Sequence, residues 1–224
     1  MKEMVKNFLK RFGPSFLFYK KSYAQEGEDL VVNRLLEGKK NGFYVEVGAH
    51  HPYRFSNTYF FYKRGWSGIC IDPLPGTKKA FNKSRPRDIA LELGVSEVPE
   101  KLQYLMFNEP ALNTFDPVLA QSRDGHGPYK MIDRIFIDTL PLSEILKGQK
   151  IPASGIDLLS VDVEGLDLQV LMSNDWNLFS PKIIITEALS ARMEDIASDP
   201  IYHFLLTKGY RLYAKTGCSI IFNR

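Results

Sequence analysis

The chain has 224 residues, of which 44% are hydrophobic and 25% charged, and a net charge of +3. That length suits one well-buried α/β domain rather than two with a linker, and the composition excludes a fibre or a globally disordered chain. No apolar run approaches the roughly 18 to 20 residues that cross a bilayer, and no apolar core with a small-residue cleavage site marks the first residues, so the expected location is cytoplasmic.

Residues 1–21 hold Lys2, Lys6, Lys10, Arg11, Lys20 and Lys21 against Glu3 alone, a local balance of +5 that leaves the remainder near −2. A nucleic-acid surface would put its basic residues on the folded body, so no nucleic-acid partner is expected. Met4, Val5, Phe8, Leu9 and Phe12 share one helical face and Lys2, Lys6 and Lys10 another. Such a basic amphipathic helix either makes a peripheral membrane or partner contact or packs on its own domain. Gly13 and Pro14 end it, which sets a segment over 1–21 apart from a domain over 22–224.

After Phe16, Phe18 and Tyr19, the polar stretch SYAQEGEDL opens a second helix that runs to about Leu36. FYVEVG at 43–48 reads as a buried strand, and SNTYFFYKRG at 56–65 as a helix with Ser56 or Asn57 near its cap and Gly65 at its end. WSGICID at 66–72 is the next strand, a helix covers about Pro75 to Lys83, and RDIALELGVS at 87–96 reads as a third strand. LQYLMF and RIFIDTL look like strands on either side of a polar segment from Asn113 to Tyr129. A connection that long, with Gly125 and Gly127, is expected to be an acceptor-side loop. IDLLSVDVE at 156–164 is strand-like, DLQVLMSND helical and KIIITE at 182–187 a strand. A helix near Pro200 to Lys208 then precedes a hairpin of GYRLYAK, Thr216, Gly217 and CSIIFNR. Cys70 and Cys218 lie in apolar, strand-like stretches and read as reduced thiols, without the count or spacing of a zinc site.

Alternating strands and helices demand a mostly parallel sheet with helices on both faces, and ligands bind beyond the carboxyl ends of such strands. Those ends carry Gly48, Asp72, Val95, Asp162 and Glu187. The turn FYVEVG-AHHP has one glycine where a dinucleotide fingerprint uses three, and Pro52 removes a donor while His50 and His51 add bulk. A pyrophosphate cradle is therefore disfavoured. S-adenosylmethionine has no phosphate, and Gly48 for close backbone approach with Glu46 for its ammonium fit its needs. Asp72, ending the second strand, is placed to hydrogen-bond both ribose hydroxyls. The terminal hairpin matches the ending of Rossmann-like methyltransferases, so the expected fold is α/β with a mostly parallel seven-stranded sheet and a C-terminal antiparallel hairpin.

Five strings in order, SYAQEGED, FYVEVGAHHP, SNTYFFYKRGWSGICIDPLP, RPRDIALELGVS and IDLLSVDVEGLDLQVL, together resemble the FkbM family of methyltransferases over residues 22–224. The resemblance implies S-adenosylmethionine as methyl donor and O-methylation, commonly of sugars or secondary metabolites. Position by position it assigns Glu46 and Gly48 to the first motif, Asp72 to the ribose, and Asp162, Glu164 and Gly165 to the motif after the fourth strand. Val95 and Ser96 become candidates at the adenine, and Gln25, Glu26 and Asp29 fall in an N-terminal motif expected to close over the methionine end.

Methyl transfer to oxygen needs the acceptor hydroxyl deprotonated, by a base or with the help of a metal. One reading makes Asp162 or Glu164 the base, together with His50 or His51. The other makes Asp162, Glu164 and Glu187 ligands of a hard divalent cation such as magnesium. Metal-free base chemistry on a sugar, glycan or small-molecule acceptor is the expectation. A noncatalytic S-adenosylmethionine-binding protein and an NAD-type oxidoreductase are the rival classes.

Overall fold

The computed structural model describes residues 2–188 and 192–224. Its strands are β1 (Phe43–Val47), β2 (Ser67–Ile71), β3 (Ile89–Leu91), β4 (Gly94–Val95), β5 (Glu100–Phe107), β6 (Met131–Leu140), β7 (Leu158–Val161), β8 (Ile183–Glu187), β9 (Arg211–Lys215) and β10 (Ser219–Asn223). The helices are α1 (Lys2–Phe12), α2 (Glu28–Leu35), α3 (Tyr59–Tyr62), α4 (Thr77–Ser84), α5 (Pro117–Arg123), α6 (Leu142–Lys147), α7 (Asp167–Met172) and α8 (Pro200–Thr207). Seven strands form one sheet in the order β3-β2-β1-β7-β8-β10-β9. Only β10 runs against its neighbours, closing the chain with the expected antiparallel hairpin.

All five residues of β1 are buried because the sheet is covered on both faces. Val45 and Val47 point to one side, where Leu142, Val170, Leu171 and Leu205 from α6, α7 and α8 complete a core with Ile69, Ile71 and Leu159. Tyr44 points to the other, where Val32, Phe60, Phe61 and Phe81 from α2, α3 and α4 pack with Cys70 and Ile185. The chain leaves β1 for β2 on one side and returns to β7 on the other. That reversal of strand order opens a crevice at the carboxyl ends of β1, β2 and β7.

Several elements differ from the sequence reading. RDIALELGVS is two strands, because the chain leaves the main sheet after Leu91 and Gly94–Val95 pairs instead with β6 in a separate sheet of order β4-β6-β5. A Cβ at Gly94 would lie 2.7 Å from the Thr139 methyl, so this pairing needs the glycine. SNTYFFYKRG yields only the four-residue α3, with the Ser56 hydroxyl accepting from the Tyr59 N–H at 3.1 Å. The segment 113–129 is not a plain loop: Asp116 accepts from the N–H groups of Val118 and Leu119 and caps α5, with Pro117 in its first turn. Cys218 lies in the partly exposed turn of the hairpin rather than in an apolar strand. α1 forms over the amphipathic stretch, with Phe8, Leu9 and Phe12 exposed. The side chains of Met4 and Val5, placed on the same face by the sequence, lie outside the described residues. Among the described residues no helix is long and apolar enough to cross a membrane.

Candidate active site

The crevice is bounded on its floor by the turn after β1. Gly48 has φ +78°, and a Cβ there would fall 1.6 Å from the Asp162 carbonyl oxygen. The glycine is thus required by the approach of this turn to the end of β7, whatever ligand lies above it. His50 is left-handed at φ 49°, and its N–H donates to Asp72 Oδ2 at 2.6 Å. Asp72 Oδ1 accepts from the Leu74 N–H at 2.8 Å and from the Thr77 hydroxyl at 3.4 Å. A carboxylate offers about four acceptor positions, so Oδ2 keeps one for a further donor. Burial pushes Asp72 up to about 6, against the pull of its hydrogen bonds from Leu74 and His50.

On the opposite wall Asp162, Glu164 and Glu187 bring carboxylate oxygens within 4.8 Å of one another. Burial, then repulsion from Glu164 and Asp167, holds Asp162 well above the usual carboxylate range. Burial and the charges of Asp162 and Glu164 push Glu187 up to about 10, and its Oε2 is buried with no hydrogen-bond partner among the described residues. Burial also raises Glu164, although Arg123 from α5 pairs with its carboxylate. Glu164 is itself left-handed at φ 57°, and its carbonyl accepts from the Thr114 hydroxyl at 2.7 Å. Asp167 completes this wall from behind, raised to about 7 by burial and by Glu164. Three close carboxylates cannot all ionise in a dry pocket, so the wall holds protons at neutral pH unless a cation faces it.

Of the residues singled out in the sequence, Gln25, Gly48, His50, Asp72, Val95, Asp162 and Glu164 line the crevice, and Glu187 stands beside Asp162. Others are placed elsewhere. Glu46 shares the Tyr44 side of β1, where it accepts from Thr58 at 2.6 Å and Ser56 at 3.2 Å and faces the buried Arg85 at 3.6 Å. Its side chain is buried among these partners beneath the turn, and it is absent from the crevice lining. His51 is exposed, and its Nδ1 accepts from the N–H groups of Tyr53 and Arg54, both at 3.1 Å, which makes it a turn residue. The Ser96 hydroxyl donates to the Val98 carbonyl at 2.7 Å and lies 2.6 Å from the Thr139 hydroxyl, so it joins β4 to β6. Asp29 accepts from Ser22 and from the Tyr23 N–H, closing the turn before α2.

The N-terminal motif is clamped to the terminal hairpin. Glu28 accepts from the Thr216 hydroxyl at 2.8 Å and Glu26 from the Cys218 N–H at 2.8 Å. A Cβ at Gly217 would lie 2.1 Å from the Glu26 carboxylate, so a side chain there would displace Glu26 from the hairpin. With its neighbours fixed in this way, Gln25 faces the crevice.

The structure adds residues that carried no sequence motif: Phe55, Tyr104, Asn113 and Phe115 on the walls, and Arg123 behind Glu164. Asn113 and Phe115 are in the segment already singled out as facing the acceptor. Two buried polar atoms, His50 Nε2 and Asn113 Nδ2, have no hydrogen-bond partner among the described residues. Leaving such atoms unmatched costs about 1–3 kcal/mol each, so this crevice is built to meet polar groups of a ligand. His50 is neutral near pH 7, because burial, with the Arg54 charge, lowers it to about 4.

The family model described as Methyltransferase FkbM domain matches residues 46–212. No curated protein matches the chain. Among solved structures, a precorrin-6y C5,15-methyltransferase from Geobacter metallireducens is similar at 10% identity and a TM-score of 0.47, over 92% of each chain. A methyltransferase from Geobacter sulfurreducens is similar at 13% identity and 0.46, over 100% of this chain and 88% of its own. A TehB-like SAM-dependent methyltransferase from Corynebacterium glutamicum is similar at 9% and 0.44, over the whole of both chains. Likenesses this distant add no argument to the family match and the strand order.

Proposed function

The chain belongs to the FkbM family of methyltransferases, and we propose that it moves a methyl group from S-adenosylmethionine to a hydroxyl of a sugar, glycan or small metabolite. The observation that carries this reading is the meeting, in one crevice, of the open acceptor position on Asp72, the unmatched atoms of His50 and Asn113, and the acidic wall of Asp162, Glu164 and Glu187. When bound, S-adenosylmethionine supplies an electrophilic methyl group on a sulfonium. Asp72 would accept from the ribose hydroxyls, and Val95, with Tyr104 beside it, would flank the adenine. Gly48, Gln25 and Asp162 would meet the methionine end. The acidic wall suits a ligand with two positive centres, which would draw its carboxylates into their ionised form.

An ionised carboxylate in a dry site is a stronger base than one in water, and the acceptor hydroxyl needs such a base. Asp162 is the preferred candidate because Glu164 is committed to Arg123. His50, neutral and lining the same crevice, would accept a hydrogen bond from the acceptor and orient it. His51 has no part in the step, and no metal is required.

Calorimetric titration with S-adenosylhomocysteine and with NAD, followed by transfer of labelled methyl from S-adenosylmethionine to a panel of sugars and glycans, tests the reading. Binding of S-adenosylhomocysteine with transfer to a hydroxyl supports it. Binding of NAD instead, or a methylated nitrogen or carbon, would overturn it.

A further inference from the structure

The first 21 residues carry a surface that the crevice does not use. Phe8, Leu9 and Phe12 on α1, with Phe16, Phe18 and Tyr19 just after it, are all at least 42% exposed. The Phe8 and Phe12 rings lie 5.4 Å apart, and the Arg11 guanidinium sits 5.3 Å over the Phe12 ring. Phe8 and Phe12 thus form a short apolar stripe bordered by a cation, and further exposed aromatic residues follow it in the chain, whereas exposed apolar residues on a monomer are normally scattered. Among the described residues, none of Lys2, Lys6, Lys10, Arg11, Lys20 and Lys21 is in an ion pair. The local balance of +5 contrasts with a remainder near −2, so positive charge is concentrated beside the aromatic stripe.

We propose that residues 2–21 dock the protein on an anionic lipid surface. The aromatic side chains would enter the headgroup layer, while the lysines and Arg11 meet lipid phosphates and carboxylates. An interfacial helix needs this pairing of an apolar face with flanking cations, and the negative potential of an anionic leaflet attracts such cations within about a Debye length of its surface. A second copy of the chain is the weaker occupant, because it would set one +5 segment against another. A nucleic acid would use the cations and leave the exposed stripe in water. With no helix long and apolar enough to span a bilayer among the described residues, the contact is peripheral.

Sedimentation of the full chain with vesicles tests this, using equal parts phosphatidylserine and phosphatidylcholine against phosphatidylcholine alone. The expected result is binding to the anionic vesicles at least about ten-fold stronger than to the neutral ones, declining as salt is added. Phe8→Ala with Phe12→Ala, and separately Lys6→Glu with Lys10→Glu, should each reduce it about ten-fold while leaving the urea midpoint unchanged, since these side chains are exposed. Absence of binding, equal binding to both vesicles, or equal strength on polyuridylate would overturn the proposal. So would parent self-association in the ultracentrifuge that the Phe8→Ala, Phe12→Ala variant loses, which would make the stripe a contact between copies.

Discussion

The backbone N–H of His50 donates to the Asp72 carboxylate at 2.6 Å, tying the turn after β1 to the end of β2. One oxygen therefore holds a left-handed residue in place and, on the reading above, also faces the methyl donor. Because Asp72 is buried and its other oxygen is taken by Leu74 and Thr77, its role in shaping the floor cannot be separated from its role in binding by one substitution.

Two substitutions separate them. Asp72→Ala should weaken S-adenosylhomocysteine binding at least about ten-fold, since a hydrogen bond to a charged group is worth about 1.5–3 kcal/mol. It should also lower stability, because the N–H groups of His50 and Leu74 lose their partner. Asp72→Asn keeps one acceptor oxygen, so it should recover part of the stability and less of the affinity. Calorimetry with urea unfolding reads both. Parental affinity in a folded Asp72→Ala variant would remove Asp72 from the site.

The pH dependence of stability is a second expectation. Asp72 is raised to about 6, Asp167 to about 7 and Glu187 to about 10, and Asp162 and Glu164 also move upward. Unfolded carboxyls release their protons near pH 4, so the folded chain holds more protons across the interval above that. The stabilisation is complete below the unfolded values and is lost as pH rises through the folded ones. His50 and His51 are lowered and contribute the opposite sign up to about pH 6.5, so the urea midpoint of the ligand-free protein should fall between about pH 6.5 and about pH 8, by an amount on the order of a few kcal/mol in unfolding free energy. A midpoint that climbs over that interval would mean that the acidic wall is ionised and compensated in the folded protein.

Much of this frame was legible in the sequence. Strand ends announced themselves through apolar runs closed by Gly48, Asp72, Asp162 and Glu187, and the hairpin through its Thr216–Gly217 turn. The partners of Glu46 were not legible because Arg85 lies far along the chain and meets it only under the sheet. Strand alternation was the available signal: Glu46 shares a face with Tyr44, opposite Val45 and Val47. Ser96 was misplaced for a related reason, since a two-residue strand pairing Gly94 with Thr139 leaves no periodic pattern. His51 was a turn residue by its own local chemistry. Asn113 begins the segment that the sequence set on the acceptor side, whereas Tyr104 reaches the crevice from β5 in the second sheet, and no local motif foretells that placement.

The segment from Asn113 to Tyr129 should respond to ligands. Asn113 and Phe115 line the crevice, and Arg123 reaches Glu164 on its wall. Hydrogen exchange of α5 should slow when S-adenosylhomocysteine and an acceptor are both present, and Arg123→Ala should abolish most of that slowing by freeing α5 from Glu164. Exchange that is already slow in the free protein and indifferent to ligands would make the segment purely structural.

The identity of the base is the most searching test, and it turns on how far each group titrates from neutrality. A base at His50, lowered to about 4, would leave the pH–rate profile flat above about pH 5. The raised carboxylates predict a profile that climbs through neutrality instead, at a position set by the bound cation. Asp162→Asn should reduce turnover at least about 100-fold at saturating donor, the scale of a lost general base, and should weaken S-adenosylhomocysteine binding by a smaller factor because the same side chain meets the methionine end. Glu164→Gln should cost less, because part of its role is to hold Arg123, and His50→Ala should act mainly on the acceptor KM. His51→Ala should behave like the parent, since its ring is exposed and occupied with its own turn. Chelation should leave turnover unchanged. If chelation abolishes activity and magnesium restores it, Asp162, Glu164 and Glu187 become the ligands of a divalent cation. The 4.8 Å grouping of their oxygens would then be a coordination site, and the base would have to be sought elsewhere.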